Sequence, residues 1–205
     1  MTTSSVLADK SAVSRADRAW LRLETTMNLI GGIVIFMLVL LAVWNVLGRK
    51  FLGMPVPGYV DWTQQFMACF AFLGLAYCQR EGGHIRMDIV VSRLRGRGLW
   101  FAELLSVIFM LLLTTALIYG TWFHFQRSFD WSAPLWSRDS SIDISLPLWP
   151  AKLLVPVALA VLWVRLALQV WGYGRALLRG DPAPVAVPLI EDPATQAAHE
   201  AETVE

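Results

Sequence analysis

Tyr77–Leu94 reads YCQREGGHIRMDIVVSRL, and it is unlike the sequence on either side of it. Long apolar runs flank it, whereas Arg80, Glu81, His84, Arg86, Asp88 and Arg93 crowd together inside it. The Gly82-Gly83 pair ends a helix and lets the backbone turn. Beyond it, Ile85, Met87, Ile89, Val91 and Leu94 alternate with Arg86, Arg93 and Arg97 in a pattern that suits a short helix, about residues 85–95, lying flat on a membrane surface. An ordinary loop helix is the plainer reading of the same pattern. A charged hinge between apolar runs divides the chain into spans, connectors and tails.

Composition agrees with that division. Of 205 residues, 56% are hydrophobic and only 16% charged, against roughly 25% charged in a soluble domain. The mean hydropathy is +0.53. Many of the ten Trp lie near the ends of apolar runs, as an aromatic belt at a bilayer interface requires. Cys69 and Cys78 would lie about 13 Å apart along one helix, too far to bridge.

Working outward from the hinge, the expected fold is all-α, with four transmembrane helices. The spans fall at about residues 28–47, 60–77, 99–123 and 149–171, within a membrane domain of residues 25–175. Asn28–Leu47 has no charge over twenty residues, enough for about 30 Å of hydrocarbon. Gly31 and Gly32 offer a close helix approach, or are merely a tolerated small pair. Pro55 and Pro57 forbid a continuous helix into the second span. That span opens with Asp61, Gln64 and Gln65, which face either a wet helix end or a partner helix. Residues 1–24 form an N-terminal segment whose Arg15, Arg18 and Arg22 share a face; residues 176–205 read as a disordered tail.

Lys and Arg are concentrated in the N-terminal segment, the hinge and the segment after the fourth span. By the positive-inside rule both termini and the hinge are cytoplasmic, and the two remaining connectors face outward. Haem would need facing His pairs within the spans, but His84, His124 and His199 provide none. No Walker loop, His-Glu-x-x-His, Gly-x-Ser-x-Gly or Cys-x-x-Cys motif occurs. No enzyme activity, cofactor, metal site or nucleic-acid partner is therefore expected. A proton or ion relay would need acids near the membrane centre, and Asp61 and Glu103 lie near span ends. These features point to a subunit of something larger.

Several stretches resemble the DctQ family, the small membrane subunit of tripartite ATP-independent periplasmic (TRAP) transporters. At the hinge the resemblance runs through Gly74-Leu75-Ala76-Tyr77, Arg80 and Gly83-His84-Ile85-Arg86-Met87-Asp88. Upstream it includes Gly48-Arg49 and Trp62; downstream, Ile142-Asp143-Ile144 and Leu146-Pro147-Leu148-Trp149. It covers about residues 20–175. Two departures stand out: Thr63-Gln64-Gln65 lacks the acid usual after the Trp, where Asp61 stands before it, and Met87 replaces a Val. The resemblance implies a bacterial inner-membrane protein whose partners are a large membrane subunit and an extracytoplasmic substrate-binding protein. Import of a carboxylate-bearing small molecule would be driven by an ion gradient, with this chain as scaffold and part of the docking surface. The alternatives are the small four-span subunit of a tripartite tricarboxylate transporter, or the anchor of a redox or signalling enzyme.

Three groups of residues carry specific expectations. Arg80, His84, Arg86 and Asp88 build a structural hinge, with a His84–Asp88 contact if a helix begins by Ile85. In the outward connector, Phe125–Leu148, the residues Arg127, Trp131, Trp136, Arg138, Asp139 and Asp143 dock the binding protein or anchor to lipid headgroups. Glu103 and Arg165, set inside spans three and four at similar depths of roughly 6 and 9 Å, form a salt bridge, snorkel separately to the headgroups or pair with the large subunit.

Overall fold

The computed structural model describes residues 12–81 and 97–179. Among these residues the chain is helical, with no strands. The helices are α1 (Ala12–Leu47), α2 (Tyr59–Leu73), α3 (Leu75–Arg80), α4 (Arg97–Ser128) and α5 (Trp149–Arg179).

The first expected span and the segment leading into it are one helix of 36 residues. Its inward stripe is narrow. Ser14, Asp17, Glu24, Met27 and Gly31 are buried at spacings of three, four and seven, while Leu29, Phe36, Val43 and Trp44 lie exposed on the remaining surface. A Cβ on Gly31 would meet Leu73 Cβ at 3.4 Å, so this glycine lets α1 and α2 approach closely; Gly32 faces open space. The helix ends in a π-helical turn, Gly48–Leu52, closed by Gly53 at φ 67°. Asn45 then accepts a hydrogen bond from the Val56 amide (3.0 Å), fixing the Pro55–Pro57 turn.

The second expected span is divided. Gly74, without a Cβ to favour the helical backbone, separates a helix of 15 residues from one of 6. Neither reaches the length of about 20 residues needed to cross a bilayer alone. Among the described residues three helical stretches are long and apolar enough to do so: Ser14–Leu52, Gly98–Ser128 and Trp149–Leu178. The expected interfacial helix at 85–95 and the tail from 180 onward lie outside the described residues.

Burial identifies the centre. The apolar window of α5 is 44% buried, against 17% in α4 and 6% in α1. Ala158, Leu159, Leu162, Leu166, Tyr173 and Ala176 of α5 supply much of the core. Helix α4 packs along α5, α2 and α3 pack on α5 and α1, and α1 leans mainly on α2. The helices form an open row with α5 as its spine. Pro156 lies inside α5 without ending it.

Candidate functional site

Two polar assemblies lock the row, one at each end. At the end carrying the start of α1 and the finish of α5, four charged side chains meet almost without solvent. Arg165 of α5 is 0% exposed. Its Nε donates to Glu24 Oε1 (2.6 Å) and its Nη2 to Glu24 Oε2 (2.5 Å), a bidentate fork, while Nη1 donates to Asp17 Oδ1 (2.5 Å). Arg80 at the end of α3 donates to both oxygens of Asp17, at 3.0 and 2.9 Å. Asp17 therefore bridges two guanidiniums, and Glu24 lies 3.9 Å from Arg80. The two buried acids balance the two bases, and the partly exposed Glu81 comes within 3.8 Å of Arg80 Nε at the edge of the cluster. Bidentate geometry is the arrangement in which a buried pair best recovers its desolvation cost.

The heights explain the pairing. Asp17 and Glu24 are seven residues apart, so they share a face of α1 two turns apart, and Arg165 lies between them. Gln169, one turn beyond Arg165, extends the network: Gln79 Nε2 donates to Gln169 Oε1 (2.8 Å), and Gln169 Nε2 to the Gln79 carbonyl (3.3 Å). Trp20 Nε1 donates to the Val161 carbonyl at 3.4 Å.

This geometry corrects one expectation. Arg165 does not pair with Glu103: all three of its guanidinium nitrogens are taken by Glu24 and Asp17. The expectation assumed that sequence neighbours α4 and α5 would share the charge. Instead the N-terminal extension of α1 continues alongside α5 and delivers two carboxylates. Glu103 is itself buried, at 7% exposure. Asp17 and Glu24 were missed because they sit in a stretch dominated by Arg15, Arg18 and Arg22, which reads as a headgroup-facing helix. Their seven-residue spacing was the available signal.

At the other end, the connector from residue 129 to 148 folds against the helix termini. Asp61, in the first turn of α2, accepts the Ile144 amide (3.1 Å), and Gln65 Nε2 donates to the Pro147 carbonyl (3.0 Å). Gln64, between them, is exposed. Gly58 stands at φ 65°, and a Cβ there would lie 2.5 Å from Ile144 Cδ1, so both the turn and the packing require glycine. Lys152 of α5 pairs with Asp139 (2.8 Å) and donates to Ser128, which in turn donates to Asp139. Arg138 pairs with Asp130 at 2.8 Å. Trp131, Trp136 and Trp149 cluster with Phe129, and Trp149 Nε1 donates to the Leu135 carbonyl (2.9 Å).

These contacts set the acidity of the connector. The amide and hydroxyl of Ser132, then Arg138, lower Asp130 to about 2. Hydrogen bonds from Lys152 and Ser128 hold Asp139 below the ordinary carboxylate range.

The expected docking residues thus divide. All six are exposed, but Trp131, Trp136, Arg138 and Asp139 also make contacts that build the connector, whereas among the described residues no ion pair or ring contact engages Arg127 or Asp143. Arg80 of the expected hinge is buried in the charge cluster; His84, Arg86 and Asp88 lie outside the described residues.

The described residues also enclose apolar grooves. One of about 480 Å³ lies between α2, α5 and the connector, bordered by Trp62, Phe66, Cys69, Trp136 and Trp149. Another, of about 510 Å³, lies between α4 and α5 beside Tyr119, Trp122 and Trp163.

Residues 38–174 match the family of tripartite ATP-independent periplasmic transporters, DctQ component. No curated protein matches the chain.

Proposed function

From the premise that this chain belongs to the DctQ family, whose members are small components of TRAP transporters, we propose that it braces the large membrane subunit and helps dock the substrate-binding protein. The family match carries this reading. In support of it, the helices form an open row with α5 as spine, an arrangement suited to laying one face along a larger partner. Both ends of the row are fastened, by the Asp17–Glu24–Arg80–Arg165 cluster and by the connector contacts to Asp61, Gln65 and Lys152. A brace must hold its shape while its partner moves, and such fastening supplies rigidity.

In this reading α2 and α3 cross the membrane together as one broken span, giving four spans. Both termini and the hinge face the cytoplasm of the inner membrane, in keeping with the distribution of Lys and Arg. The connector from 129 to 148 then faces outward, where a soluble binding protein arrives. The cargo is a carboxylate-bearing small molecule moved by an ion gradient, its binding groups lying on the large subunit.

Reconstitution tests the role. The large subunit is placed in proteoliposomes with and without this chain, and substrate uptake is measured with the binding protein supplied outside. Uptake and binding-protein docking should both fail without this chain. Full uptake by the large subunit alone would overturn the brace.

A further inference from the structure

We propose that Ile142 is an apolar knob that enters a pocket on the soluble binding protein, with Asp143 beside it meeting a basic group on the pocket's rim. The proposal rests on the docking role above. Ile142 is 98% exposed, the most exposed large apolar side chain among the described residues. A lone exposed aliphatic residue on a mobile loop would carry no information, but this one is held firmly. Ser141 N donates to the Leu146 carbonyl (2.9 Å), and Leu146 N donates to Ser141 Oγ (2.8 Å). Ser140 and Pro147 form a backbone bridge below the turn. On the far side of Ile142 the chain is fixed by Ile144, whose amide is bound by Asp61 and whose side chain fills the space over Gly58. Ser145 adopts φ 54°, an unusual conformation for a residue with a side chain.

The fold thus spends four polar contacts and a strained residue on a turn whose apex exposes an isoleucine. A backbone already held in the free protein loses little further entropy on docking, which favours affinity. The surroundings specify the partner. Ser140, Asp143 and Ser145 are exposed around Ile142, a polar setting that matches an aqueous protein surface rather than lipid tails. Among the described residues no ion pair holds Asp143, whereas Asp130 and Asp139 each have an internal cation. Its charge is available to a basic group across an interface.

The test uses the two-subunit membrane complex in nanodiscs and its own binding protein immobilised on a sensor surface. Ile142→Ser should weaken docking by about tenfold, the size of a single interface hot spot, while Ile142→Leu retains it and the large subunit still co-purifies. Asp143→Asn should reduce the salt dependence of docking. Unchanged docking by Ile142→Ser overturns the assignment, and so does loss of the large subunit from that variant. If Trp131→Ala or Arg127→Ala weakens docking while Ile142→Ser does not, the docking role stands and the knob falls. If none of the three affects docking, both fall. Ile142→Cys carrying an environment-sensitive dye, with Cys69 and Cys78 replaced by Ser, separates the membrane alternative. Its emission should shift only when the binding protein is added, and a shift in the nanodisc alone would make Ile142 a membrane anchor instead.

Discussion

Arg165 carries a full charge into the middle of a packed helix row, and its three contacts decide what a substitution there does. Removing one partner leaves a buried charge uncompensated, at a cost of roughly 3–5 kcal/mol. Glu24→Gln and Arg165→Gln should each lower the unfolding midpoint of the detergent-solubilised protein strongly. Asp17→Asn should also loosen Arg80, because one carboxylate serves both guanidiniums. Replacing Asp17, Glu24, Arg80 and Arg165 together by apolar residues of similar size should recover most of the loss, since what is costly is imbalance rather than the absence of charge. In a double-mutant cycle Arg165 should couple to Glu24 and not to Glu103; strong coupling to Glu103 would contradict the geometry. The sequence showed that Arg165 lay inside an apolar run, where a charge either finds a counter-charge or snorkels to the headgroups. It did not show which one, because spacing within a helix defines a face but not the helix opposite it.

The connector is where local sequence and long-range contact depend on each other most. Its Pro, Trp and Asp residues mark an irregular segment near an interface, and that much is legible from composition. That Asp139 serves Lys152 and Ser128, while Asp61 holds Ile144, depends on helix ends that only the folded row brings together. Gly58→Ala places a side chain in the left-handed region, costing about 1–2 kcal/mol, and drives it into Ile144. The connector should then detach from α2, seen as faster proteolysis between residues 129 and 148 with the helices intact. Acid should act on the same element. Asp130 and Asp139 have folded-state pKa values below the ordinary 3.8. The contacts they make therefore stabilise the connector fully above that value, and this contribution is lost as the pH falls through the folded-state value, about 2 for Asp130. Emission from Trp131, Trp136 and Trp149 should hold steady from neutral pH to about 4 and change below it. A transition centred near pH 6 would show that another group holds the connector.

For the molecule as a whole, the number of crossings turns on Gly74. Hydropathy makes residues 60–77 look like one span, yet the helix breaks after Leu73 and resumes for six residues. A broken helix can still cross a membrane when neighbouring helices satisfy its backbone, and α3 is well supported: Ala76, Gln79 and Arg80 are buried against α1 and α5. Arg80 reaches Asp17 near the start of α1, while Asp61 at the start of α2 reaches the connector that follows α4. The two ends of the α2–α3 unit thus touch opposite ends of the row, which is the requirement for a full crossing. Single cysteines placed in a background lacking Cys69 and Cys78 test this in intact cells with a membrane-impermeant maleimide. Ile142→Cys should label from outside. Arg15→Cys and Glu81→Cys should label only after the membrane is opened. Labelling of Glu81→Cys from outside would mean that α2 and α3 enter and leave on one face, reducing the row to three spans. The hinge would then lie outside with the Pro55–Pro57 turn, the connector after α4 would fall inside, and the distribution of Lys and Arg would no longer describe the orientation.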